Sequence, residues 1–222
     1  MKFRTEDEKY TFEDLCEILK ILRAPGGCPW DREQTHQSIK HNVVEEAYEL
    51  VEAIDGGDGK KIADESGDML LQVVFHAEIG AGSGEYDISD VTDAVCRKLI
   101  HRHPHVFGDV EAKDSEEVLK NWDAIKRSDR GQKTITAELR GVSANLPALM
   151  RCGKLQKKAE KAGYEIPGIG GKYTEEALGK KLFELVKLCR ENGVEPEVAL
   201  AGYNEAFIRE FEEYEDKKNE IR

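Results

Sequence analysis

The segment that most restricts this chain is Glu65-Ser66-Gly67-Asp68-Met69-Leu70-Leu71-Gln72-Val73-Val74-Phe75-His76-Ala77. From Met69 to Ala77 the only polar residues are Gln72 and His76, so apolar side chains run almost all round the helix, the pattern of a buried one. Glu65 and Asp68, three apart, project from one side of that helix, the side that carries Phe75 and Ile79 one or more turns later. Carboxylates entering a buried helix must be paired or bind a metal, because an unpaired charge there costs several kcal/mol.

A second acidic helix precedes the first, at Glu45-Glu46-Ala47-Tyr48-Glu49. At about 100° per residue Glu45 and Glu49 share one stripe with Glu46 beside it, while Val43, Val44, Ala47, Leu50, Val51 and Ile54 fill the opposite arc. Two antiparallel helices joined through Gly56-Gly57-Asp58-Gly59 set four or five carboxylates facing one another. In a chain of 222 residues with 45 Asp and Glu, a solvated acidic face is the competing reading of the same pattern. Few Lys or Arg stand nearby to neutralise the acids. A hard cation such as Mg²⁺, held by oxygen ligands and keeping several waters, satisfies them. Gly67 leaves room for a backbone or a ligand to come close.

Helical periodicity covers the rest of the chain. Phe12, Leu15, Ile18, Leu19 and Leu22 predict a helix over 11–23, capped by Thr11 and ended by Ala24-Pro25-Gly26-Gly27. Residues 28–34 read as a compact loop holding Trp30, and Ser38 leads into a helix over 39–54. A third helix over 61–79 is closed by Gly80-Ala81-Gly82-Ser83-Gly84, and a fourth over 89–102 is stopped by Pro104. A short helix over 116–127 holds Val118, Leu119, Trp122 and Ile125. Further helices are expected after Pro147, over 175–192 and from Pro196, with a turn-rich stretch from Gly163 to Gly171. No strand alternation is visible. The expected fold is all-α: a four-helix-bundle-like domain at 1–127, a linker at 128–146 and a smaller helical domain at 147–222.

The two domains share a faint repeat. Glu65–Val74 lies over Ala177–Val186 with Gly67 on Gly179 and several apolar positions in common, a match that two unrelated amphipathic helices also produce. Ala177 and Lys180 replace Glu65 and Asp68, which confines any chemistry of these carboxylates to the first half.

Charge narrows the partners. With 45 acids against 33 Lys and Arg the net charge is -12, which repels nucleic-acid polymers and anionic bilayers. No apolar run approaches the ~20 residues of a membrane span, and the start, Met1 to Glu8, lacks the apolar core of a signal peptide, so a cytoplasmic location is expected. Cys16, Cys28, Cys96, Cys152 and Cys189 show no C-x-x-C spacing and read as reduced thiols.

Glu45-Glu46-x-x-Glu49 followed by Glu65-x-x-Asp68 resembles the metal-binding signature of the MazG family of nucleoside triphosphate pyrophosphohydrolases. The flanks are similar too: the run from Leu22 through Cys28-Pro29-Trp30-Asp31 to Thr35, the run from Gly67 to Phe75, and Arg102-His103-Pro104-His105-Val106-Phe107. The resemblance covers residues 15–127, and more weakly the C-terminal part, which departs from the family pattern in lacking an E-E-x-x-E helix and looks like a truncated, degenerate second copy.

The resemblance implies hydrolysis of a nucleoside triphosphate to the monophosphate and pyrophosphate with Mg²⁺ as cofactor, Mn²⁺ being a possible substitute, in a homodimer or higher homo-oligomer. It implies Glu46, Glu49, Glu65 and Asp68 as metal ligands, with Glu45 a further ligand or the base that orients water at the α-phosphorus. Lys98 and Arg102, four apart on the fourth helix, are expected at the phosphates, the alternative being a surface ion-pair helix. Trp122 and Lys126 resemble the family's W-x-x-x-K and are expected at base and phosphate, with Trp30 a second base contact; core packing is the alternative for either Trp. The imidazoles of His101, His103 and His105 alternate as in a metal tract, but Pro104 breaks the helix and no cysteine or carboxylate motif accompanies them. A reading from another class is a catalytically silent nucleotide-binding or regulatory helical protein. The degenerate second half favours that reading, and the five retained acids favour the enzyme.

Overall fold

The computed structural model describes residues 8–167 and 171–220; the segment read for a signal peptide through residue 7, and residues 168–170 of the turn-rich stretch, lie outside them. Among the described residues every regular element is a helix, and the chain divides into two units, Met1–Val110 and Glu111–Arg222.

The first unit contains α1 (Phe12–Arg23), α2 (Pro29–Glu33), α3 (His36–Ile39), α4 (Asn42–Gly56), α5 (Gly59–Ser83), α6 (Ile88–Arg102) and α7 (Pro104–Phe107). Its α1 starts in a capping box: Thr11 Oγ1 accepts from the Asp14 amide at 3.3 Å, and the Thr11 amide donates to Asp14 Oδ2 at 2.7 Å. Helix α5 is the central element, packed against α1, α4 and α6. Leu19, Ile39, Val74 and Phe75 form the core, flanked by Leu15, Ile18, Leu71, Ile79 and Ile88.

Two local expectations change. Residues 28–34, expected as a loop, contain α2, begun by Pro29 at its first position. Arg23 fastens this segment by donating to the carbonyls of Asp31 and Gln34, and its guanidinium lies 5.3 Å from the centre of the Phe75 ring. Helix α5 also continues through Gly80 and Gly82 to Ser83 and stops at Gly84 in the left-handed region, φ 71°. Gly80 sits inside the helix because the Tyr86 ring lies against it, where a Cβ would approach Cε1 to 2.6 Å.

A histidine pair ties α3 to α5. His36 and His76 stack at 5.0 Å between ring centres, their Nδ1 atoms 2.7 Å apart, a distance that admits one shared proton. Burial first, and the charge of His36 second, hold His76 below the usual imidazole range. The folded state therefore takes up a proton less readily than the unfolded one. This contribution to stability is present above the ordinary imidazole value and is lost as pH falls from about 6.5. The urea midpoint is expected to drop on acidification through that window, and His36→Gln to flatten the drop; an unchanged slope would contradict it.

The second unit contains α8 (Ser115–Asp129), α9 (Ile135–Arg140), α10 (Ala148–Lys161), α11 (Glu175–Glu191) and α12 (Pro196–Glu220). Helices α9, α10 and α12 enclose Leu139, Val142, Leu155, Ala159, Phe207, Ile208 and Phe211, with Tyr164 and Tyr214 against them. Residues 128–146, expected as a linker, thus carry a helix and two core residues. Their spacing Ile135, Leu139, Val142, Leu146 is a helical stripe set among Gly, Ser and charged residues that hide it. Helix α8, expected in the first domain, belongs to this unit and is tied to it by the pairs Asp123–Lys161 and Arg127–Glu138. Helix α11, the site of the faint repeat, has no buried residue, whereas its counterpart α5 is central in the first unit.

Glu215 on α12 caps α9 across the unit, accepting from the amides of Ile135 at 2.8 Å and Thr136 at 2.9 Å and from the Thr136 hydroxyl at 2.6 Å. Burial pushes its carboxyl up, but the Thr136 and Ile135 hydrogen bonds outweigh it and hold the group below the usual range. Glu215→Ala is expected to cost about 1–2 kcal/mol in urea unfolding. That contribution is present above the ordinary glutamate value and fades as pH falls below it.

Candidate metal centre and active site

The hairpin of α4 and α5 builds the site. Gly57, in the left-handed region with φ 68°, ends α4, and Asp58 Oδ1 accepts the Lys60 amide at 2.9 Å to start α5. So short a connection returns the chain antiparallel, and the two helices make the most extensive helix pair in the protein. Glu46 and Glu49 on α4 then face Glu65 on α5, and one carboxylate oxygen from each of the three lies within 4.8 Å of the others.

Glu46 and Glu65 are half-buried and Glu49 is exposed. Partial desolvation, then the charges of Asp68, Glu49, Glu45 and Glu65, push the Glu46 carboxyl above the usual range. Desolvation, then Glu49, Asp68 and Asp64, do the same to Glu65. Asp68 is half-buried and close enough to act on both, although it stands outside the three-carboxylate group. Glu45 is exposed and acts on Glu46 from the same helix, also outside the group. Lys61, one turn before Glu65, was not singled out from the sequence; its charge is the one that draws Glu65 down, and the i, i+4 spacing was the available signal.

This donor set fits a hard divalent cation. It is all oxygen, three carboxylates converge, the carboxyls of Glu46 and Glu65 are pushed upward by their acidic neighbours, and no Lys or Arg forms an ion pair with the three among the described residues. Gly67, between Glu65 and Asp68, has nothing within 4 Å of a built Cβ, so packing does not require a glycine there.

The other expected site residues are dispersed. Lys98 and Arg102 stand on α6, which packs on α5; Lys98 is exposed and Arg102 buried, at 9% exposure, so the two do not form one solvated face. Trp30 is 57% exposed and meets Phe75 edge-on at 6.5 Å, so it is not a core residue. Trp122 and Lys126 are half-buried, one turn apart on α8 in the second unit. His103 Nδ1 lies 2.6 Å from the Leu99 carbonyl at the end of α6, a helix-terminal contact.

Fold and site together define a helical protein with a candidate oxygen-donor cation site on a helical hairpin. Residues 34–107, which carry the hairpin, match the MazG nucleotide pyrophosphohydrolase domain. The chain is 37% identical over 92% of its length to the nucleoside triphosphate pyrophosphohydrolase/pyrophosphatase MazG of Thermotoga maritima, of which it covers 86%. It is 38% identical over 90% of its length to the nucleoside triphosphate pyrophosphohydrolase of Escherichia coli K12, again covering 86%. It is 40% identical over 95% of its length to YabN of Bacillus subtilis, but spans only 47% of that protein. A crystal structure of a MazG-related protein from Thermotoga maritima aligns with 52% of this chain and 98% of its own, at 28% identity and a TM-score of 0.45. The chain belongs to the MazG family of nucleotide pyrophosphohydrolases.

Proposed function

We propose that this protein hydrolyses a nucleoside triphosphate by attack of water at the α-phosphorus, giving the nucleoside monophosphate and pyrophosphate. The observation that carries the reading is the convergence of Glu46, Glu49 and Glu65 within 4.8 Å, with no ion-paired cation among the described residues, on the segment that matches the family. In this reading Glu46, Glu49, Glu65 and Asp68 hold Mg²⁺, for which Mn²⁺ substitutes. The bound ion supplies screening between carboxylates and triphosphate and an acidified water. Glu45, exposed and outside the converging group, would orient the attacking water and accept its proton. Lys98 and Arg102 meet the phosphates, Arg102 from a buried and so more rigid position. Exposed Trp30 offers the base a flat face.

The same reading makes nucleotides, rather than nucleic-acid polymers or membranes, the partners of a cytoplasmic protein of net charge -12. Among the described residues no helix is long and apolar enough to cross a membrane. It also makes the protein at least a homodimer. Val44, Val51 and Ile54, expected in the apolar arc of α4, and Tyr48 beside them are each more than half exposed and follow one another at helical spacing, an apolar stripe that a second copy would cover. Tyr48→Glu with Val51→Glu is expected to halve the mass measured by light scattering; an unchanged mass would place the contact elsewhere.

The reaction is tested by phosphorus NMR of triphosphate digests. Pyrophosphate with the monophosphate, formed only with divalent metal, supports the reading; orthophosphate, or turnover in chelator, overturns it.

A further inference from the structure

The second unit holds a pocket whose charge is opposite to that of the carboxylate centre. It is a cavity of about 310 Å³ bounded by α8, α9 and α10 and the turns between them. Five of its twelve lining residues are Lys or Arg and two are acidic, in a protein whose net charge is -12. The cations are organised. Glu138 on α9, its side chain only 10% exposed, lies 2.6 Å from Arg127 Nε through one oxygen and 3.1 Å from Lys158 Nζ through the other. The second acid of the lining, Asp123, is occupied by Lys161 at 2.9 Å. Of the remaining three cations, Lys126 is half-buried on α8, while Arg130 at the end of α8 and Lys154, one turn before Lys158 on α10, are exposed and have no ion-pair partner among the described residues.

Positive groups crowded into a concave site repel one another and focus a field that attracts anions. Arg127 and Lys158 are held by a near-buried carboxylate that cannot neutralise both, so the pocket keeps an excess of positive charge around fixed donors. The guanidinium of Arg130 presents a planar fork suited to phosphate oxygens, and Lys154 a mobile point charge. The cavity suits a compact, multiply charged oxyanion. We infer that this pocket binds a small phosphate-chain anion, inorganic pyrophosphate or the phosphates of a nucleotide, through Arg130 and Lys154 with Arg127 and Lys158 set in place by Glu138. Lys126, which the family resemblance places at phosphate, also lines this pocket, and the inference is otherwise separate from the activity proposed for the first unit.

Calorimetric titration of the full chain in chelator tests it, because without divalent metal the carboxylate cluster repels phosphate anions. Inorganic pyrophosphate is expected to bind saturably with a Kd below ~1 mM and to weaken as salt rises. Arg130→Ala with Lys154→Ala should weaken it at least about tenfold, as loss of charge-assisted hydrogen bonds does. Arg130→Lys with Lys154→Arg should retain most of the affinity, and Glu49→Gln all of it. Both replaced residues are exposed, so the fold should survive, which the urea midpoint checks. A nucleoside monophosphate titrated in parallel separates the sources: tighter binding than pyrophosphate points to a nucleotide, weaker binding to the bare anion. No saturable binding of either, or binding unchanged in the double alanine variant, overturns the inference.

Discussion

Glu49→Gln is expected to lower metal-dependent pyrophosphate release by about 10²–10³-fold or more, because losing even an outer-shell partner of a metal site costs 10–100-fold and this residue is placed as a ligand. The substitution keeps the shape of the side chain and removes one charge from a group whose oxygens lie within 4.8 Å. In the metal-free protein, Glu46 and Glu65 are both pushed upward in part by Glu49, so removing its charge relieves repulsion. The urea midpoint without metal should therefore hold or rise while activity collapses. A solvated acidic face predicts the reverse, activity unchanged. Activity and stability falling together would mean that Glu49 supports the fold instead.

The second large effect belongs to the other unit. Phe211 is 1% exposed, lies among Leu139, Leu155 and Ile208, and has its ring 5.4 Å from Tyr164 and 5.7 Å from Tyr214. Phe211→Ala leaves a cavity that helices fixed by the Glu215 cap and the Asn204 to Ala148 hydrogen bond cannot close easily. The expected cost is about 3–5 kcal/mol in urea unfolding, a large share of a typical domain's stability. A loss below about 1 kcal/mol would show that these residues are not a close-packed core.

The helices were legible because their ends carry explicit chemistry: Thr11 before α1, and the break Gly56-Gly57-Asp58-Gly59 whose Gly57 and Asp58 cap α4 and α5. What escaped was masked by neighbours. The stripe Ile135, Leu139, Val142, Leu146 lies in polar surroundings and looked like a linker, and Gly80 looked like a stop until Tyr86 supplied its reason. The three converging acids follow from helical spacing, since an antiparallel hairpin of fixed loop length determines which turns face. How much of an apolar arc stays exposed does not follow from spacing. Val44, Val51 and Ile54 carry the pattern of core residues, and the rest of the chain leaves them more than half open. Arg102 and Lys98 show the same limit: four apart on one helix, they differ in burial because of what packs around them.

The most direct test of the account is to run the reaction, with Mg²⁺ present, in water enriched in a heavy oxygen isotope and to weigh both products. The account predicts the label in the nucleoside monophosphate and none in pyrophosphate, since water attacks the α-phosphorus. Label in pyrophosphate would move the attack to the β-phosphorus and contradict it.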